Sequence, residues 1–138
     1  MQDYADHLKS LGSQSTEYQL SKPHVEILES FPNQYPDREY HIVHEFKEFT
    51  SLCPKTGQPD FATIVVTYIA HMKCVETKSL KLYYFAYRNE GSFMETICNR
   101  ILDDLIQLLA PRQMQVMATY NPRGGIQTSV TATYRGKE

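Results

Sequence analysis

The sequence has no cationic surplus: 14 lysines and arginines stand against 16 acidic residues, for a formal net charge of −2. Neutralising a phosphate backbone takes a concentrated excess of Lys and Arg. A nucleic-acid partner is therefore not expected, and a small neutral or anionic ligand is. Long apolar runs are missing too. No segment approaches the roughly 20 apolar residues that span a bilayer, and the leading MQDYADHLKSLGSQSTEY has no signal-peptide core. The expectation is a soluble, cytoplasmic protein without a membrane partner. Only three cysteines occur, Cys53, Cys74 and Cys98, and no two are spaced C-x-x-C, which points to reduced thiols rather than a zinc or dithiol site. His41 and His44 lie three apart in an extended segment, hence on opposite faces, so no shared metal is expected. A G-x-G-x-x-G is absent, which excludes a dinucleotide held in the Rossmann manner. Internal repeats and low-complexity segments are absent as well.

What is present fits one domain: 138 residues with 41% hydrophobic content can bury a real core but not two. Residues 1–35 are polar and Ser/Gln-rich and read as an N-terminal arm, with residues 36–138 as a single domain. YHIVHEFKEF (Tyr40 to Phe49), TIVVTYI (Thr63 to Ile69) and SLKLYYFAY (Ser79 to Tyr87) read as strands from their aromatic and β-branched content and their alternation. Phe93, Ile97, Ile101, Leu105 and Leu108 recur at helical spacing up to Pro111, which predicts one long amphipathic helix. Two further alternating segments, Gln113 to Tyr120 and Ile126 to Tyr134, flank Asn121-Pro-Arg-Gly-Gly125 and form a hairpin with a Gly-Gly turn. The predicted class is α+β, an antiparallel sheet with a helix packed on one face.

Three places carry chemistry. SLCPKTGQPD puts the Cys53 thiol and the Asp60 carboxylate at the ends of a loop shaped by Pro54, Gly57 and Pro59. A thiol reacts as the thiolate and needs a neighbour that takes its proton. Asp60 is that neighbour if the loop folds back; otherwise Cys53 is a loop cysteine beside a solvated acid. Ser92-Phe-Met-Glu95 matches a capping box, in which Glu95 only starts a helix; alternatively, Glu95 accepts hydrogen bonds from the paired N–H groups of a guanine-like ligand. Lys78, Lys81 and Arg88 make either a solvated face or a phosphate-binding one, with Arg123 and the amides of Gly124 and Gly125 as a second possible phosphate contact.

Together, SLCPKTGQPDFATI, VETKSLKLYYFAYRNEGSFME and PRGGI closely resemble the NADPH-dependent 7-cyano-7-deazaguanine reductases, the QueF nitrile reductases of queuosine tRNA-modification biosynthesis, in their single-domain form. The resemblance covers about 100 residues and implies a tunnelling fold (T-fold), with paired helices where the periodicity gives one. Subunits of this family join their sheets into a ring, which implies a homo-oligomer, a pentamer or a stacked pair of pentamers. Cys53 is implied as the nucleophile that forms a thioimide with the nitrile, and Asp60 as the proton relay. Glu95 is implied as the anchor of the nucleobase, with Val75, Glu76, Thr77 and position 94 bordering it. Lys78, Lys81 and Arg123 are implied as contacts to the phosphates of NADPH, and no metal takes part. Met94 departs from the family pattern, which has His before the Glu. Two other readings stay open: a variant that binds the base or forms the thioimide with impaired reduction, and an amidino-transferase-like relative acting on a nitrile-bearing tRNA base. Those transferase relatives lack the cofactor segment present here as ETKSLKLYYFAYR.

Overall fold

From Asp60 to Tyr68 every second side chain is buried: Asp60, Ala62, Ile64, Val66 and Tyr68 face inward. This period of two is what a strand with one covered face requires. The computed structural model describes residues 22–136. Its elements run β1 (Ser30–Pro32), β2 (His41–Leu52), β3 (Pro59–Ile69), β4 (Lys73–Val75), α1 (Thr77–Phe85), α2 (Met94–Leu109), β5 (Gln113–Tyr120) and β6 (Ser129–Arg135). The main sheet has four antiparallel strands in the order β2-β3-β5-β6, and β1 and β4 form a separate antiparallel pair. The architecture is the predicted α+β one, with both helices on one face of the sheet.

Strand direction puts two turns at one end of the sheet. Ser51 faces Asp60 and Leu52 faces Pro59, so Cys53 to Gln58 is the β2–β3 loop. Because β5 runs antiparallel to β3, with Ala62 opposite Tyr120, the β5–β6 turn emerges beside that loop. The turn is as expected from its sequence. Arg123 and Ile126 exchange backbone hydrogen bonds of 2.9 and 3.0 Å across Gly124 and Gly125, whose φ values are 57° and 80°. Two consecutive positive φ angles define the tight hairpin turn that glycine accommodates without strain.

The core lies between the sheet and α2. Ile97, Cys98, Ile101, Leu102, Leu105 and Leu109 form the buried stripe of this helix against Met114, Val116 and Ala118. The Cys98 thiol donates to the carbonyls of Val116 and Val130 at 3.4 and 3.5 Å, so it packs as expected. A second helix replaces the strand predicted for Ser79 to Tyr87. Its buried residues are Ser79, Leu80, Tyr83 and Tyr84, followed by Tyr87 past its end. That spacing is helical, but aromatic residues at nearly every position let an alternating pattern fit equally well. The Glu76 carboxylate decides the local structure by accepting from the amides of Lys78 and Ser79, both at 2.8 Å, which caps α1. Two helices, as the family plan has them, are therefore present.

The boundary drawn at residue 35 also moves. Leu28 and Asn33 are buried, and β1 pairs with β4. The Asn33 side chain donates to the His71 carbonyl at 2.8 Å and accepts from the Tyr35 amide and the Tyr40 hydroxyl. An arm of polar composition thus joins the domain through one satisfied amide. Residues 1–21 of the expected arm lie outside the described residues.

Helix α2 stops at Ala110, which takes the left-handed conformation (φ 43°, ψ 57°) before Pro111. A Cβ makes this conformation costly, by about 1 kcal/mol, and glycine removes the cost. Ala110→Gly is expected to raise the stability measured by urea unfolding by about 0.5–1 kcal/mol; an equal or lower value would contradict the strain.

Candidate active site

The Cys53 loop is closed by its own backbone. The Cys53 amide donates to Gln58 O at 2.8 Å and the Gly57 amide donates to Cys53 O at 2.9 Å, with Gly57 at φ 70°. This brings the loop's two ends together, as the sequence required for Asp60 to approach the thiol. The Thr56 hydroxyl is the largest influence on the Cys53 thiol. With the amides of Thr56 and Lys55 it lowers the thiol to about 7; burial opposes this, and the Arg123 guanidinium adds the smallest lowering. Near neutral pH a substantial fraction is therefore thiolate, the nucleophilic form. Cys98 is pushed the other way by burial.

Asp60 is 6% exposed and faces the helix side of the sheet. Its Oδ1 accepts from Arg123 Nη1 at 2.7 Å, and Arg123 Nη2 donates to Gln58 Oε1 at 3.2 Å. The guanidinium also reaches the Cys53 thiol, and that contact is the largest of the influences that raise its pKa. One arginine thus binds the acid and the far end of the loop, with the Cys53 thiol within its influence.

The start of α2 is tied to the same place. Leu52 donates to Glu90 O at 3.0 Å and accepts from the Ser92 amide at 3.3 Å, a parallel bridge between Leu52 and Gly91. Gly91 lies against Pro54, where an added Cβ would come within 3.5 Å of its Cα. Met94 and Glu95 follow directly. The capping box does not form: α2 begins at Met94 with Phe93 at the N-cap, no side chain caps it, and the Ser92 hydroxyl turns to Glu90. Glu95, exposed in the first turn, is not spent on capping. Met94 is half-buried against the core.

Behind these groups lie Ser51 and Tyr120, each 1% exposed. Their hydroxyls are neighbours, yet neither finds a hydrogen-bond partner of good geometry. Burial raises the Tyr120 phenol, and Cys98, Asp60 and Glu95 add to this. Sequence reasoning missed these two hydroxyls, and it assigned Arg123 to cofactor phosphates alone. The signal for Arg123 was the strand order, which puts the PRGG turn next to the CPKTGQP loop.

The other predicted residues sit at the β4–α1 corner. Val75 is a core residue at the end of β4, the Glu76 carboxylate caps α1, and Thr77 opens that helix exposed. The two capping amides hold the Glu76 carboxyl below its ordinary 4.5. Lys78 and Lys81 are exposed on α1. Phe46, Glu48, Thr50, Lys81, Tyr84, Phe85 and Arg88 line a cavity of about 220 Å³ between β2 and α1. The Tyr84 hydroxyl is buried there without a protein partner. Hydrogen bonds connect the Cys53 loop through Gln58 to Arg123 and Asp60, and through Leu52 to the residues before α2.

The geometry gives a first reactivity test. Alkylation of Cys53 by iodoacetamide should rise with pH about a midpoint near 7, while the buried Cys74 and Cys98 stay unlabelled in the folded protein. A Cys53 midpoint at the ordinary 9.0, or labelling spread over all three thiols, would contradict it.

Comparison with known proteins identifies the family. A family model described as "QueF-like protein" matches residues 59–138. The NADPH-dependent 7-cyano-7-deazaguanine reductase of Nitratidesulfovibrio vulgaris (strain DP4) is 54% identical over 130 residues, covering 94% of this chain and 78% of that protein. The enzyme of the same name from Chloroherpeton thalassium is 51% identical over 113 residues, covering 82% of this chain and 97% of that protein. The one from Neisseria gonorrhoeae (strain NCCP11945) is 52% identical over 124 residues, covering 90% and 78%. Among solved structures, the apo archaeosine synthase QueF-Like superposes with a TM-score of 0.62 at 18% identity over 72% of this chain and 96% of that one, which shows a shared fold. With half or more of its residues identical to these reductases over most of its length, the chain belongs to the QueF family of NADPH-dependent 7-cyano-7-deazaguanine reductases.

Proposed function

We propose that this chain reduces the nitrile of 7-cyano-7-deazaguanine to a primary aminomethyl group at the expense of two NADPH, through a thioimide on Cys53. The observation that carries the reading is the lowered Cys53 thiol, coupled through one arginine to a buried Asp60, in a chain 54% identical to a reductase of that name. Cys53 Sγ attacks the nitrile carbon. One π-bond of C≡N opens as the S–C bond forms, and the thiol proton passes by way of Asp60 to the nitrogen. A nitrile accepts hydride poorly; the thioimide accepts it better, so one hard step becomes two easier ones. NADPH, held by Lys78, Lys81 and Arg88, would supply the two hydrides, one before and one after Cys53 leaves as thiolate. Asp60 passes to the nitrogen first the thiol proton and then a proton taken up from solvent, and solvent reprotonates the released thiolate.

Glu95 fits the role of base anchor, since its carboxylate is free of capping and stands one turn from the Cys53 loop. NADPH fits the α1 side, where Lys78 and Lys81 are joined by Arg88 around an aromatic cavity with an unpartnered buried hydroxyl. These residues would hold its phosphates and an aromatic ring. Val75, Glu76 and Thr77 border the base from a neighbouring subunit. The support is that among the described residues β2 and β6 each leave one backbone edge of the sheet unpaired, and a pentamer or decamer covers such edges. Among the described residues no helix is long and apolar enough to cross a membrane, in keeping with a cytoplasmic enzyme acting on a small molecule. The amidino-transferase reading is not favoured, because the similar proteins at 51–54% identity carry the reductase name.

The deciding experiment incubates the protein with 7-cyano-7-deazaguanine, with and without NADPH, and follows absorbance and intact mass. An adduct on Cys53 without cofactor and NADPH oxidation with it are expected; adduct formation in Cys53→Ala would remove the mechanism. Glu95→Gln should weaken base binding at least tenfold, since a charged hydrogen-bond partner is lost, and leave the melting temperature unchanged. A fall in melting without a fall in affinity would return Glu95 to a structural role. Met94 cannot donate a conventional hydrogen bond or titrate. Met94→His should leave the rate of adduct appearance unchanged and speed single-turnover reduction, since general acid catalysis contributes about 10²–10⁴-fold. Equal reduction rates would make Met94 a neutral replacement.

A further inference from the structure

We infer that Arg123 serves the thiol–acid pair: it is a positioning residue that holds Asp60 and the far end of the Cys53 loop in register with the nucleophile. The inference rests on the reading above for its substrate, and it differs from the role that resemblance suggests for Arg123 as a contact to cofactor phosphates.

The position of Arg123 is fixed before its side chain is considered. It opens the Gly124-Gly125 turn and is pinned to Ile126 by two backbone hydrogen bonds. Asn121, two residues earlier, donates its amide to Phe61 O at 2.8 Å, which anchors the approach to the turn on β3 one residue from Asp60. From this base the guanidinium divides its donors. Nη1 binds Asp60 Oδ1 at 2.7 Å and Nη2 binds Gln58 Oε1 at 3.2 Å. A planar fork with donors in fixed directions suits two acceptors at once; a lysine ammonium has no such geometry. With Oδ1 engaged by Arg123, Asp60 has Oδ2 left as an acceptor.

Burial makes the contact consequential. Asp60 is 6% exposed while Arg123 is 36% exposed, so the arginine is the charge partner of a carboxylate largely removed from water. A buried carboxylate left without its partner is costly and tends to reorient. Removal of Arg123 therefore frees Asp60 to turn away from the nucleophile. The charged groups around Cys53 are Arg123 on the β5–β6 turn, Asp60 on β3, Lys55 in its own loop, and Glu90 and Glu95 at either side of the start of α2. Arg123 is the cation of this set that pairs with the acid, and it also favours the thiolate.

The test uses thioimide formation in the absence of NADPH, a step in which a cofactor contact plays no part. In Arg123→Gln the adduct with 7-cyano-7-deazaguanine should form about tenfold or more slowly, in line with a misplaced reacting group, and the Cys53 alkylation midpoint should rise only slightly, since Thr56 and the loop amides supply most of its lowering. Arg123→Lys, which keeps the charge and loses the fork, should restore the midpoint but not the rate. An unchanged cofactor-free adduct rate in Arg123→Gln, with only the KM for NADPH raised, would overturn the inference and make Arg123 a cofactor contact. Should the wild-type protein form no adduct, the functional reading fails separately. The hold on the loop is then read from iodoacetamide alkylation of Cys53 at fixed pH: a changed rate in Arg123→Gln upholds it, and an unchanged rate overturns it.

Discussion

The site depends on one short backbone interlock. Leu52, the last residue of β2, donates to Glu90 and accepts from Ser92, so the strand that ends in the nucleophile's loop is joined to the residues that begin α2. Without these two bonds Cys53 and Glu95, 42 residues apart in sequence, have no reason to share one end of the sheet. The close contact of Gly91 with Pro54 works toward the same end. A Cβ at position 91 would meet Pro54 at ordinary van der Waals distance, so the helix start and the Cys53 loop are in packing contact here. The antiparallel order of the sheet then brings the β5–β6 turn and Arg123 to the same end at no further cost.

Around this interlock the protein keeps polar groups where packing alone would favour apolar ones. Asp60, Ser51 and Tyr120 lie on the face of the sheet that elsewhere carries Ile64, Val66 and Val116. Asp60 is satisfied by Arg123, whereas the Ser51 and Tyr120 hydroxyls have no partner of good geometry. Buried polar groups without partners are rare because each costs about 1–3 kcal/mol. Their concentration beside the reactive thiol marks the place where stability yields to chemistry, while the helix stripe from Ile97 to Leu109 supplies the compensating core.

Legibility followed the physics of each segment. The strands β2, β3 and β5, the glycine turn and α2 were readable because each has one covered face and thus a clean period, and the loop fold-back followed from Gly57 and the two prolines. Helix α1 was not readable: Tyr83, Phe85 and Tyr87 alternate with Leu82, Tyr84 and Ala86, so both periods fit, and what settles the matter is a carboxylate cap from Glu76, just outside the run. The short strands β1 and β4 were missed because three residues carry no period. The capping box at Ser92 was a good local pattern overridden by tertiary contact, since Ser92 is held by Leu52 instead. Cys53 and Asp60 were recognisable from their motif, but the arginine between them emerges only from strand order.

The central claim is that one end of the sheet assembles nucleophile, acid and base anchor from β2, β3 and α2. A crystal structure of the protein after reaction with 7-cyano-7-deazaguanine tests it most directly. The account predicts continuous density from Cys53 Sγ to the former nitrile carbon, Asp60 within about 2.6–3.2 Å of the thioimide nitrogen, and the Glu95 carboxylate on the N–H edge of the base. A base bound away from Cys53, or one whose N–H edge is held by other groups while Glu95 faces solvent, would contradict it.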